Sequence, residues 1–343
     1  MMKRVKKLAA LLLAAVVAVS ATGCADQSWS VKSGDQTLAI GVYIYYELTN
    51  YQTAYYQSSD SSTPLLSQTI EEQSGYDWVK NTALENCQSW LAVYNELAKL
   101  NLLPTQEEIA QAEADGGESW STQYEDFGIS KDSYLKATSL YNLYNEKLFD
   151  AVYGENGTQP VSDEELEDYF VDNYVNLRYF TKGLTTTDED GNSLSLSDEE
   201  IAEIKEQFEG YAQQLNNGEK SIEEIAEEYQ TSEELDSSPL QEITNQLDSI
   251  GFSDTITNEL QDSGNNQAVA VQSGSVYYLF WKDDIASKAD ELQDAEQRNS
   301  ILYQMKSDEY TAYVEGLVAQ NSYTVNDSAL NKYDPNYVEG KLS

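Results

Sequence analysis

The sequence predicts an α+β protein, mainly helical, with a small antiparallel or mixed sheet and flanking helices in its second half. Three observations predict it. Ser or Thr stands three residues before Glu at Thr105/Glu108, Ser162/Glu165, Ser197/Glu200 and Ser221/Glu224, which are capping boxes that start helices near 105, 162, 197 and 221. Apolar residues recur at i, i+3 and i+4, as in Leu84, Cys87, Leu91, Tyr94 and Ala98. The strand signals of the second half are clear: residues 175–181 alternate, and 268–271 with 276–282 flank Ser273-Gly274 as a hairpin.

The chain opens on an export signal. Residues 1–7 carry Lys3, Arg4, Lys6 and Lys7, and an uncharged, mostly apolar run follows over 8–19. Such a run is too short to span a bilayer as a stable helix. Ala21-Thr22-Gly23-Cys24 comes next and resembles a lipobox, with Ala21 where Leu is usual. Small residues before a Cys let a signal peptidase close on extended backbone once lipid is attached to the thiol. The resemblance therefore makes residues 1–23 a signal peptide and Cys24 the site of lipid attachment. It places the protein on the extracytoplasmic face of a bacterial cell membrane. Residues 24–36 are read as a tether and the start of the fold, with 25–30 mostly polar. No other stretch is long and apolar enough to cross a membrane.

Residues 31–46 read as a strand or extended entry, with a turn over 31–36 and an apolar stretch through Ile44, and the Tyr-rich segment 43–56 continues as a helix. Residues 57–64 are polar and loop-like, and a helix over about 77–100 carries the Cys87 stripe. Pro104 and the Thr105/Glu108 box mark a boundary. A helix over about 131–153 follows Phe127-Gly128-Ile129-Ser130, and 154–160 is a Gly/Asn/Pro loop. Beyond it come the strand over 175–181, a polar excursion over 185–197 with a turn at Asp190-Gly191, and helices over 198–216 and 221–229. Residues 236–267 look irregular apart from a short helix over 254–261. After the hairpin, a long polar helix spans about 286–319, with Leu302, Met305, Tyr313 and Leu317 on one side. Residues 327–343 look like a loose tail.

Composition narrows the chemistry. Removing 1–23, which hold four basic residues and no acids, takes the net charge from −40 to −44. Such a surface repels nucleic acid and anionic headgroups, so lipid and not surface charge must hold the protein to a membrane. The absence of His excludes Ser-His-Asp and Cys-His catalysis and imidazole metal sites. With Cys24 lipidated, Cys87 has no partner for a disulfide and reads as a buried thiol in a helix stripe. The segment 188–192 (Asp-Glu-Asp-Gly-Asn) fails the EF-hand spacing and reads as a solvated turn. Pairs such as Glu223-Glu224 and Glu227-Glu228 lie at helical spacing and read as solvated faces. No phosphate-cradling loop is present, and neither a cofactor nor a metal is expected.

The order of these pieces resembles extracytoplasmic foldases of the PrsA/SurA type. In the first part the resemblance rests on residues 90–105 followed by Glu107-Glu108, on Gly128-Ile129-Ser130, and on residues 161–166 with Tyr169-Phe170. In the second part it rests on residues 176–180, on Gly218, Ile222, Ile225-Ala226 and Tyr229, on Phe252, Ile256, Leu260 and Gly264, and on residues 276–280. The resemblance implies a discontinuous helical chaperone domain over 37–160 and an inserted parvulin-like domain over 161–285. A C-terminal helix over 286–326 would pack back on the chaperone domain.

The parvulin-like part departs from its family. Both family histidines fall on tyrosines, Tyr179 and Tyr278. Ser237-Ser238-Pro239-Leu240 replaces a Gly-rich turn, and no Cys is available for the family's sulfur position. The resemblance implies binding of unfolded or newly exported polypeptides, with Tyr179, Phe252, Tyr277 and Tyr278 as candidate peptide-binding residues. Two other readings stand beside it. One is an active prolyl isomerase using Tyr in place of His, since isomerisation needs no covalent step. The other is a solute-binding lipoprotein, which needs two lobes with parallel strands.

Overall fold

The computed structural model describes residues 28–58, 62–188 and 191–342. The chain divides into two compact units, residues 1–152 with 309–343, and residues 153–308.

The first unit begins with a hairpin. Strands β1 (Trp29–Ser33) and β2 (Gln36–Ala39) pair antiparallel around Gly34, whose φ of 57° suits a tight turn. The fold thus starts within the expected polar tether, because Ser30 is buried and its hydroxyl bonds the Leu38 and Ala39 carbonyls. Cys24 and the signal lie outside the described residues. Helix α1 (Ile40–Gln57) follows directly and buries Val42, Tyr43, Ile44 and Leu48. The two-residue strands β3 (Thr69–Ile70) and β4 (Gln73–Ser74) lead into α2 (Gly75–Leu100). Ser74 caps α2 by accepting the Asp77 N–H at 3.1 Å. Asn101, at φ 59°, ends it: the Leu102 N–H returns to the Leu97 carbonyl at 2.9 Å. The Cys87 thiol is buried on α2 beside Leu91, and burial pushes its pKa up.

Helix α3 (Gln106–Gly116) starts at a complete capping box, with the Thr105 N–H on Glu108 at 2.7 Å. After α4 (Gln123–Asp126), Gly128 at φ 82° turns the chain into α5 (Lys131–Leu135), which Ser130 caps. A π turn over Lys136–Leu140 joins it to α6 (Tyr141–Tyr153). A π turn shifts the helical bonding by one residue and frees carbonyls. Here two aromatic donors take them: Trp90 Nε1 donates to the Lys136 carbonyl at 2.8 Å and the Tyr46 hydroxyl to the Ala137 carbonyl at 3.2 Å.

In the second unit, α7 (Asp163–Asn173) starts at the Ser162/Glu165 box and runs into β5 (Tyr174–Gly183). The exposed hairpin of β6 (Thr185–Thr187) and β7 (Ser193–Ser195) spans the polar excursion. In its turn Gly191 has φ 85° and the Asn192 N–H bonds Asp188 Oδ1, while Glu189 and Asp190 lie outside the described residues. Helices α8 (Asp198–Asn216) and α9 (Ile222–Ser232) follow, each starting at its capping box. Next come β8 (Gln241–Gln246), α10 (Asp254–Asp262), β9 (Gln267–Ser273) and β10 (Val276–Lys282). β8 lies in the stretch expected to be irregular. Its sequence is mostly polar, so it carries little apolar alternation, and it is held by pairing with β5.

The sheet order is β8-β5-β10-β9. Every strand pairing among the described residues is antiparallel, which removes the solute-receptor reading and its parallel lobes. One face packs Phe180, Tyr277 and Leu279 against Phe208, Ile225 and Tyr229 of α8 and α9. The other packs Leu177, Val271 and Phe280 against Ile256 and Leu260 of α10.

The long C-terminal helix starts later than expected, because Ile285–Gln293 is 3-10 turns. Helix α11 (Ala295–Gln320) buries Ile301 and Leu302 in its second-unit half. In its first-unit half the Tyr310 hydroxyl donates to Asn145 Oδ1 at 2.9 Å. Residues 327–343 are not the loose tail expected. β11 (Thr324–Val325) pairs with β1, and α12 (Asp327–Lys332) and α13 (Pro335–Leu342) bury Leu330, Tyr333 and Val338. The tail looked polar because each helix offers only two or three apolar residues, enough to dock on α1 but too few to form a visible stripe.

Candidate functional site

Successive residues of a strand face opposite sides of the sheet. Tyr179 on β5 therefore shares a side with its register partner Phe280 on β10, and Tyr278 lies two residues from Phe280 on the same side. The chain between β8 and α10 returns over these rings. Gly251, at φ 81°, makes the bend, and the Ser253 hydroxyl meets that of Ser273 at 2.6 Å. Phe252 is thereby laid among the rings of the sheet. Its ring centroid is 5.8 Å from Tyr179, 6.2 Å from Tyr278 and 5.2 Å from Phe280. Tyr278 stacks on Phe280 at 5.4 Å with an interplanar angle of 2°. Phe280 is fully buried, while Tyr179, Phe252 and Tyr278 are half-buried. The result is an aromatic face with a solid floor.

Two hydroxyls edge this face. That of Tyr179 donates to Gln241 Oε1 at 2.9 Å. That of Tyr278 makes no hydrogen bond among the described residues. A half-buried ring with a polar tip buries area against an apolar side chain and can still bond a peptide group.

The structure brings three of the four candidate residues together. Tyr277 is the exception: it is 3% exposed on the opposite side of the sheet, with its ring 5.4 Å from Phe208. Strand alternation separates neighbours such as Tyr277 and Tyr278, so both cannot serve one face. Phe280, the floor, was not singled out from the sequence. The same alternation, counted two residues on from Tyr278, would have found it. Cys24 lies outside the described residues.

On the side of Tyr277, nearer the β8 edge, a polar cavity of about 330 Å³ is lined by Arg178, Glu223, Gln241, Glu242, Asp283 and Lys288 among others. Arg178 grips Asp283 with two bonds, Nε to Oδ2 at 2.7 Å and Nη2 to Oδ1 at 2.6 Å, and also pairs with Glu223. The bond to Asp283 raises the Arg178 pKa further above its ordinary value. Lys288 donates to Glu242 Oε1 at 2.6 Å, and Asn176 Nδ2 reaches the same oxygen at 3.0 Å. These two bonds hold the Glu242 carboxyl below the usual range. Each charge in the cavity thus has a partner.

No family model matches the chain, and no curated protein matches it. Several solved structures resemble it. Foldase protein PrsA from Lactococcus lactis is 15% identical over 90% of this chain and 99% of its own, with a TM-score of 0.35. PrsA from Bacillus subtilis is 16% identical over 76% and 93%, with a TM-score of 0.29. Foldase protein PrsA from Streptococcus pneumoniae is 15% identical over 74% and 90%, with a TM-score of 0.30. Identities this low do not carry an activity from those proteins to this chain.

Proposed function

We propose that this protein is an extracytoplasmic chaperone, tethered through lipid on Cys24, that binds unfolded exported polypeptides. The observation that carries the reading is the half-buried aromatic face of Tyr179, Phe252 and Tyr278 over Phe280. It offers rings to apolar side chains and a hydroxyl to the backbone. The order of sequence elements that resembles the PrsA/SurA type supports the same reading. A net charge of −44 without residues 1–23 keeps complexes soluble and favours basic clients. Among the described residues no helix is long and apolar enough to cross a membrane, so the proposed tether is the lipid.

Light scattering from a reduced, aggregating secreted protein tests this reading. A stoichiometric amount of this chain suppresses the aggregation, and Phe252→Ala weakens the suppression. An unchanged scattering trace with the parent protein would remove the reading.

Prolyl isomerisation is the second reading, favoured by the unbonded Tyr278 hydroxyl on an apolar floor. A protease-coupled assay on a proline peptide separates the two. A rate equal to the uncatalysed one, the same for Tyr179→Phe and Tyr278→Phe, leaves the binding role alone.

A further inference from the structure

The four-stranded sheet has two edges, and they are finished differently. At β9 the Asn216 side chain occupies the edge: its Oδ1 accepts the Ala268 N–H at 2.7 Å and its Nδ2 donates to the Ala268 carbonyl at 3.1 Å. The amide stands in for a neighbouring strand and closes that position.

At β8 the backbone is open, and the register shows which groups. The Asp283 N–H donates to the Asn176 carbonyl at 3.0 Å, so the Asn176 backbone faces β10. In an antiparallel ladder, residues alternate between bonding one neighbour and the other. Thr244, paired opposite Asn176, therefore turns its N–H and C=O away from β5, as do Glu242 and Gln246 two residues to either side. The Gln246 N–H is folded onto Asn245 Oδ1 at 2.8 Å. Among the described residues nothing takes the N–H groups of Glu242 and Thr244.

The two sides of this edge differ in chemistry. On one side stand Ile243 and Leu247, half-buried beside the aromatic face. On the other stand Glu242 and the polar cavity, where Glu223, Glu242 and Asp283 outnumber Arg178 and Lys288. A strand laid along β8 would place alternate side chains on each.

We propose that the outer edge of β8 receives an extended client segment of alternating apolar and basic residues, as a fifth strand of the sheet. The proposal rests on the chaperone reading and names the backbone through which a client is held. Two donors and the facing carbonyls supply binding that does not depend on client sequence. The apolar and acidic flanks select the pattern, and the strongly negative net charge draws cationic segments to the surface.

The test uses the purified full chain in mild detergent and a fluorescein-labelled heptapeptide of alternating lysine and valine, read by anisotropy. Thr244→Pro removes an outward N–H and no backbone bond to β5, but with the hydroxyl it also loses the bond from Asn176 Nδ2 at 2.8 Å. It weakens binding about tenfold or more, the loss of one or two backbone bonds. Thr244→Val, which keeps the N–H and loses the same hydroxyl bond to Asn176, binds as the parent does and so separates the two effects. A peptide of the same charge with alternate nitrogens methylated also binds about tenfold or more weakly, whatever the folding of the variants. Hydrogen exchange at the Glu242 and Thr244 amides slows when the unmodified peptide is bound. The proposal is overturned if the parent does not bind the peptide, if the methylated peptide binds equally well, or if a folded Thr244→Pro binds as the parent does. Aggregation suppression measured on the same preparation keeps the two ideas apart. Suppression without these peptide effects removes only the edge, and no suppression removes the chaperone reading itself.

Discussion

Glu47→Gln isolates the proton that the helical unit must hold in order to fold. Glu47 lies on α1 with none of its surface exposed. The Tyr43 hydroxyl donates to its Oε1 at 2.5 Å, and its Oε2 has no hydrogen-bond partner. Burial pushes its pKa up from 4.5 to about 9; the Tyr43 bond and Lys80 lower it, and Asp334 raises it. The folded state therefore binds the proton more tightly than the unfolded chain does. Stability is fully present below pH 4.5 and is lost as pH rises toward the folded pKa. Linkage between these two values gives a loss of about 4 kcal/mol from pH 5 to pH 8, up to about 1.4 kcal/mol per unit. Gln has no proton to lose, so its stability lacks this component. At pH 5 the variant is less stable by about 1–3 kcal/mol, because an amide N–H has no acceptor in that place. By pH 8 the order reverses. Urea unfolding followed by tryptophan emission reads it, since Trp29, Trp78, Trp90 and Trp120 share the unit of Glu47 and only Trp281 lies in the other. Subtracting the two proteins cancels every other titrating group. A difference in unfolding free energy that stays constant from pH 5 to pH 8 would refute the reasoning.

Tyr46→Phe leaves the Ala137 carbonyl of the π turn without its donor and lowers stability by about 1 kcal/mol in the same urea assay. Gly75→Ala would set a Cβ 2.2 Å from the Leu65 carbonyl oxygen, a backbone atom that cannot step aside. It costs about 1–3 kcal/mol and lowers the melting temperature of the first unit. Cys24→Ser moves the protein from the membrane pellet to the soluble fraction of fractionated cells and abolishes labelling by a radioactive fatty acid. Retention in the pellet would count against the tether.

Much of the helical frame is legible in the sequence because a helix start is a local event. Thr105/Glu108, Ser162/Glu165, Ser197/Glu200 and Ser221/Glu224 each hold both halves of a capping box within one turn, and each box forms. The hairpin around Ser273-Gly274 is legible for the same reason. The Cys87 stripe predicted a buried thiol, and the thiol is buried on α2.

The site was only partly legible. Tyr179, Phe252 and Tyr278 meet, although 73 residues separate the first two in sequence; only the register of β5 with β10 and the bend at Gly251 put them on one face. The same register sends Tyr277 to the other side. Nothing local marks Glu47 as buried, and the carboxyl of Asp334 that helps raise its pKa comes from the terminal segment 287 residues away in sequence. What the residues determined by themselves was where segments start, stop and alternate, since those preferences act over one turn or one pleat. Which faces became core, which edge of the sheet stayed open and which acid lost its water were decided only when distant segments closed on one another. Burial and strand pairing belong to the pair of surfaces that meet, and neither surface carries them alone.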